Sequence, residues 1–130
     1  MEVLIDTSFI VTVFANNVDI KHEFTKFGNV KMVVLDLVIK ETERLAEGRG
    51  KDGMHARLAL EFMKQGNARI YRTKTEHTDK QLERIARKHG MAVCTMDKKL
   101  KEYLIRKGIP VITIRQRRYL ALARKHGVEF

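Results

Sequence analysis

Four acidic residues stand where helices begin or have just begun. Asp6 follows the apolar run "VLI" and opens "DTSFI"; Asp97 follows "AVCTM"; Asp79 opens "DKQLERIARKHG"; Glu41 lies early in "LVIKETERLAEG". Each has an ordinary use when taken alone. An Asp at a helix N-cap is worth about 1 kcal/mol, and an acid in the first turn complements the helix dipole. Thr78 and Gln81 have the spacing of a capping box, and Glu43 reads as a solvated helix residue. Brought together, the four carboxylates would repel, and a divalent cation would both remove the repulsion and use them as ligands. An oxygen-only set points to Mg²⁺ or Mn²⁺ and away from zinc. Such ions activate a water and stabilise the leaving oxygen of a phosphodiester, with two metals ~4 Å apart where both are present. His22, His55, His77, His89 and His126 have no metal-ligand spacing; His89 and His126 read as complements to helix C-termini. Cys94, the single cysteine, reads as packing in a buried strand.

The charge of the chain suits that chemistry. The formal net charge is +10, and it is uneven: residues 1–65 carry 9 Lys/Arg against 10 Asp/Glu, and residues 66–130 carry 17 against 6. A one-sided basic excess is the footprint of a polyanion binder, because Lys and Arg contacts to phosphates release counterions. Lys98 and Lys99 beside Asp97, and Arg115, Arg117 and Arg118 in the acid-free stretch 115–125, are the candidate nucleic-acid contacts. A basic surface that holds the polyanion, around acids that hold a metal, reads as phosphodiester hydrolysis.

The elements that must position these residues are legible as alternating patterns. Val3–Ile5, Val30–Leu35, Ala68–Tyr71, Met91–Thr95 and Pro110–Ile114 are short Val/Ile-rich runs and read as strands. Between them lie helical spacings, such as Leu82, Ile85 and Ala86, and both "ARKHG" at 86–90 and "IRKG" at 105–108 close on basic residues and Gly, a helix stop. A second "ARKHG", at 123–127, reads as the same helix-ending chemistry. Strand–helix alternation implies right-handed crossovers and a mostly parallel sheet covered on both faces. Ligands bind beyond the carboxyl ends of such strands, where strand order reverses. "GRGKDG" at 48–53 reads as a mobile loop, and the 130 residues as one domain, 1–130, with a basic terminal segment from about 115. The one Cys predicts a reducing, cytoplasmic setting. The N-terminal apolar run is broken by Asp6 and lacks a basic leader, so it does not read as a signal peptide, and no run reaches a membrane span of ~20 residues.

At this point the sequence resembles the PIN-domain ribonucleases. The resemblance is carried by "LIDTSF" at 4–9, "VIKETERLAEG" at 38–48, "DKQLERIARKHG" at 79–90 and "VCTMDKKLKEYLIRKGIPVITIR" at 93–115, in the family's order and spacing. It implies a three-layer α/β/α domain with a mostly parallel five-stranded sheet of order 3-2-1-4-5. It also implies an Mg²⁺- or Mn²⁺-dependent endoribonuclease acting on single-stranded or looped RNA. Asp6, Glu41, Asp79 and Asp97 match the family's acidic quartet as metal ligands, and Thr7 or Ser8 its hydroxyl beside the first acid. The match departs where many members carry a further acid: Lys80 follows Asp79 and "RQRRYL" follows the fifth strand, which leaves a second metal open.

Several alternatives stay open on sequence. Within the family, one branch processes ribosomal RNA, with ribosome-assembly factors as partners, and "VITIRQRRYLALARK" looks closer to it; the VapC-type toxins work with a small antitoxin. A module of the same fold that binds RNA without cutting it is another. A phosphotransferase using Asp6 as nucleophile would want a second Asp where Ser8 stands. The helix "MHARLALEFMKQ" at 54–65 offers either a core-facing stripe or a homodimer face.

Overall fold

The computed structural model of the chain describes residues 1–74, 76–125 and 127–129, the last three as backbone. The apolar runs become parallel strands β1 (Glu2–Ile5), β2 (Lys31–Leu35), β3 (Ala68–Tyr71), β4 (Ala92–Cys94) and β5 (Val111–Arg115). Their spatial order is β3-β2-β1-β4-β5, all parallel, as expected. The sheet then continues: β6 (Tyr119–Arg124) and β7 (Gly127–Glu129) add two antiparallel strands at the β5 edge, making seven strands where five were expected. Ala123 and Arg124 of the second "ARKHG" are therefore the end of β6, and Gly127 the start of β7, and not a helix end. What overrides the local pattern is pairing, with Ile112 opposite Leu122 and Ile114 opposite Leu120. His126 lies outside the described residues.

Helices fill the crossovers: α1 (Thr7–Ala15), α2 (Ile20–Phe24), α3 (Asp36–Ala46), α4 (Gly50–Phe62), α5 (Thr78–His89) and α6 (Lys98–Arg106). The chain moves one way along the sheet from β1 to β3 and the other way from β3 through β4 to β5. Right-handed crossovers therefore put α1, α3 and α4 on one face and α5 and α6 on the other. The packing agrees, since α1, α3 and α4 contact one another while α5 lies on β1 and β4 and α6 on β5. Both faces of the central strands β1, β4 and β5 are thus covered. Val3, Leu4, Val33, Val34, Val93, Val111 and Ile112 are wholly buried, the reason these strands are continuous apolar runs rather than alternating ones.

Two glycines carry local conformation. Gly90 takes the left-handed position that closes α5 (φ 65°), as the basic-then-Gly pattern predicted. Gly53 has a different reason. A Cβ there would stand 2.0 Å from the Gly48 carbonyl oxygen, so only glycine lets the start of α4 cross the end of α3. That corrects the loop expected at 48–53: residues 50–53 are the first turn of α4. Farther along α4, Ala56 and Ala59 are buried, with Met63 just beyond the helix, while Met54 and Leu58 face outward. The small core-facing stripe and the exposed apolar pair thus occur on the same helix.

Candidate active site

The two acids that follow β1 and β4 come out side by side because those strands are neighbours, paired Ile5 to Cys94. This is also where strand order reverses, so the crevice expected of an open α/β sheet opens here. Asp6 continues the pairing, its N–H donating to the Cys94 carbonyl at 2.9 Å. It also caps α1, with Oδ1 accepting from the Thr7 N–H at 2.9 Å. Its other oxygen, Oδ2, accepts from the Thr95 hydroxyl at 2.7 Å and the Ser8 hydroxyl at 3.2 Å. Ser8 Oγ accepts in turn from the Met96 N–H (3.0 Å), and Thr95 Oγ1 from the Asp97 N–H (3.1 Å). Asp6 is therefore held by four groups from two strand ends, and its buried side chain is fixed in place.

Thr95 is the residue that sequence reasoning missed. It is wholly buried, one residue past β4, and bonds both acids' surroundings. The signal was available as Thr-x-Asp at 95–97, but a threonine at a strand end is unremarkable until β1 and β4 are known to adjoin. Of the two hydroxyls expected beside Asp6, Ser8 is the one bonded to it. Thr7 differs: its Oγ1 is buried with no partner at hydrogen-bond distance, though it lies close enough to Glu41 to ease that carboxylate's charge slightly.

Glu41 and Asp79 lie in the field of Asp6. Burial pushes the Glu41 carboxyl above its usual range; the Asp6 charge adds to that, Arg44 works against it, and Asp79 adds again. Asp79 is raised by desolvation and then by the charges of Asp6 and Asp97. Glu41 and Asp79 therefore each feel acids from other parts of the fold. Glu43 turns away, 3.9 Å from Lys64 on the surface. The capping box expected at Thr78 is not made by Gln81, whose Oε1 instead accepts two bonds from Arg84 (3.0 and 2.8 Å). Asp97 does cap its own helix, Oδ1 accepting from the Lys99 and Leu100 N–H groups at 3.0 and 3.1 Å.

An all-oxygen donor set under mutual repulsion, with an unpartnered hydroxyl beside it, fits a hard divalent cation in chemical kind. Among the described residues, no three His, Cys, Asp or Glu side chains are grouped tightly enough to grip one ion as they stand. Closing on an ion would need side-chain rotation, which Glu41 and Asp79 are free to make more than Asp6.

A further acid follows a strand in the same way and does something else. Asp36, next after β2, uses Oδ1 to accept from the Thr73 N–H (3.1 Å), the Thr73 hydroxyl (2.8 Å) and the Leu37 N–H (2.9 Å). Burial pushes its carboxyl up, but these bonds and Lys40 outweigh it and hold it below the ordinary value. It pins the exit of β3 to the start of α3.

The basic residues sit at the same edge of the sheet. Lys98 and Lys99 are exposed in the first turn of α6, and Arg115 ends β5. Lys101, one turn on from Lys98, is pushed down by burial and then by the Arg115 charge, with Glu102 opposing and Lys98 adding, so these cations crowd one another. Arg117 and Arg118 are exposed in the tight turn between β5 and β6. That turn is closed by the Arg118 N–H on the Arg115 carbonyl at 3.1 Å, with Gln116 and Arg117 both left-handed (φ 50° and 61°). Lys26 and Glu23 of the α2 region anchor the hairpin: Lys26 donates to the Leu120 carbonyl (2.9 Å), and the Leu120 N–H to Glu23 (2.8 Å).

With this geometry in hand, comparison with known proteins identifies the class: residues 3–117 match the family described as PIN like domain, and the chain belongs to it. It is 31% identical over 123 residues to Ribonuclease VapC4 of Methanocaldococcus jannaschii, covering 90% of this chain and 92% of that protein. It is likewise 31% identical to Ribonuclease VapC9 of Archaeoglobus fulgidus, over 83% of this chain and 78% of that one. Among solved structures, the PIN domain endonuclease Utp24 superposes with a TM-score of 0.78 at 25% identity, covering 95% of this chain and 91% of that one.

Proposed function

We propose that the chain is a divalent-metal-dependent endoribonuclease acting on single-stranded or looped RNA. The observation that carries this reading is that Asp6 and Asp97 follow the neighbouring strands β1 and β4 at the switch point and are linked through Thr95, with Glu41 and Asp79 near enough to be raised by neighbouring acids, in a molecule of net charge +10. The names of the VapC relatives as ribonucleases and of Utp24 as an endonuclease support it.

The four acids would hold Mg²⁺ or Mn²⁺, with Asp6 as the fixed ligand and the other three closing on the ion. A bound ion of this kind makes water nucleophilic at neutral pH and neutralises charge on the phosphate oxygens. The chain supplies the rest. Ser8 and Thr95 keep the Asp6 oxygens oriented. Glu41 and Asp79, raised by burial and by neighbouring carboxylates, are the groups whose repulsion a bound cation would relieve most. Lys98, Lys99, Arg115, Arg117 and Arg118 line the approach and hold the flanking phosphates.

The biological setting we favour is RNA processing, as the acid-free basic stretch at 115–125 suggests. The VapC likeness favours a second reading, a toxin nuclease with an antitoxin partner. The exposed Met54 and Leu58 would serve a homodimer or such a partner. No helix among the described residues is long and apolar enough to cross a membrane, and we place the activity in the cytoplasm. The test is cleavage of end-labelled RNA with Mn²⁺, with and without chelator, by the wild type and Asp97→Asn. Internal cuts abolished by both chelator and substitution are expected. RNA retention without any cut would mean a non-cleaving module, and growth arrest on expression, relieved by a co-expressed partner, would mean a toxin.

A further inference from the structure

Between α5 and α6, next to Asp79, lies an open cavity of about 350 Å³ lined by Asp79, Lys80, Glu83, Lys99, Leu100 and Tyr103. Its volume is that of a small-ligand pocket. Tyr103 is 37% exposed. Its hydroxyl donates to Glu83 Oε1 at 2.7 Å, which fixes the ring from one end. Glu83 itself is steadied by Arg87, whose guanidinium donates to Oε2 at 2.8 Å. A carboxylate accepts only, and each of its oxygens keeps a lone-pair site after these bonds. The cavity thus combines a held aromatic ring, an acceptor pair and two lysines, immediately beside one of the proposed metal ligands.

Single-stranded RNA is recognised by stacking its splayed bases on aromatic rings and by hydrogen bonds to their edges. Among the four bases only guanine presents two neighbouring N–H donors on its pairing edge, the ring N1–H and the exocyclic N2–H, a match for two acceptor oxygens. Adenine and cytosine would turn an acceptor towards the carboxylate, and uracil has one N–H between two carbonyls. We propose that this cleft binds a guanine base next to the scissile phosphate, stacked on Tyr103 and read by Glu83, with Lys80 and Lys99 on the flanking phosphates. The proposal rests on the endoribonuclease reading and names the base that site selects.

The experiment measures binding of RNA oligouridines carrying one central G, A, C or U, by fluorescence anisotropy with a chelator present so that metal-dependent cleavage is off, to the full chain. Cleavage of the same RNA is run with Mg²⁺ in place of the chelator. The wild type should prefer the G oligomer. Tyr103→Ala should weaken its binding by about tenfold, Tyr103→Phe, which keeps the ring, by much less, and Glu83→Gln should erase the preference for G. Tyr103 lies at the surface, and melting curves verify that the variants are folded. Four oligomers bound alike, or Tyr103→Ala binding like the wild type, would overturn the proposal even if the protein cleaves RNA. Selective, Tyr103-dependent binding without cleavage would uphold the pocket and sink the nuclease reading instead.

Discussion

Thr95 Oγ1 lies 2.7 Å from Asp6 Oδ2 and donates to it, joining the ends of β4 and β1 through a hydroxyl that also receives the Asp97 N–H at 3.1 Å. One wholly buried threonine thus holds two acids' positions at once. Thr95→Val, nearly the same shape without the hydroxyl, would leave a buried Asp6 oxygen short of a donor. A loss of about 1–3 kcal/mol in denaturant unfolding is expected, with RNA cleavage reduced at least as strongly. Thr95→Ser should keep most of both. A Val variant as stable and active as the wild type would show that Ser8 and Thr7 suffice to hold Asp6.

Asp97 separates capping from ligation. Asn caps a helix as well as Asp, so the metal-free Asp97→Asn variant should melt close to the wild type or slightly above it, since a repelling charge is gone. Millimolar Mn²⁺ should raise the wild-type midpoint by mass action and raise the variant's less. Equal metal shifts in the two would remove Asp97 from the ligand set.

The raised carboxyls of Glu41 and Asp79 make a pH prediction. Their folded forms hold protons more tightly than the unfolded chain, so the native state binds more protons and stability falls as pH rises. The window starts at the ordinary values, 4.5 for Glu41 and 3.8 for Asp79, and runs up through the raised folded ones. Glu23 and Asp36, both lowered, act in the opposite sense, losing their contribution as pH falls. Comparing metal-free wild type with Glu41→Gln cancels those other groups. The Gln variant should match the wild type near pH 4 and gain on it towards neutrality. A gap that does not change with pH would mean that neither burial nor the neighbouring charges raise the Glu41 carboxyl in the folded state.

At the β5–β6 turn, stability and binding should move apart. Arg117 is left-handed at φ 61°, a conformation that costs an ordinary residue roughly 1–2 kcal/mol and glycine almost nothing. After the entropy that glycine adds to the unfolded chain, Arg117→Gly should stabilise by about 0.5–1 kcal/mol, while weakening RNA binding. A variant that melts lower would show that the Arg117 side chain makes stabilising contacts outweighing the strain.

Salt dependence tests the same surface. Replacing Arg117 and Arg118 together with Ala should flatten the log–log slope of RNA affinity against salt by up to about 0.7 per lost phosphate contact. An unchanged slope would place the footprint on α6, with Lys98, Lys99 and Lys101, and leave the hairpin out of it.

Most of the parallel sheet was legible in the chain, because strands buried on both faces must be continuous apolar runs and the helices between them carry their own stop signals. Asp6 and Asp97 could be singled out as residues at strand ends, since the end of an apolar run is a local feature. The remaining structure was not local. "ARKHG" at 123–127 reads as a helix end within its own five residues, and only pairing with β5 and the anchor from Glu23 and Lys26 make Tyr119–Arg124 a strand. Gly53 looks like loop glycine until the Gly48 carbonyl is placed 2.0 Å from its missing Cβ.

The site shows the same division. Residue type and strand-end position were enough to nominate the acids, and they do not distinguish Asp6, fixed beside Thr95, from Asp36, given over to Thr73. Composition and order along the chain determine which groups are available, because periodicity and capping act over a few residues. Which groups meet depends on strand order, and placing β1 against β4 brings residue 6 into hydrogen-bond contact with residue 95 across 89 positions of sequence. Tertiary structure alone decides that contact, because it comes from packing both faces of the sheet at once and no signal within either segment refers to the other.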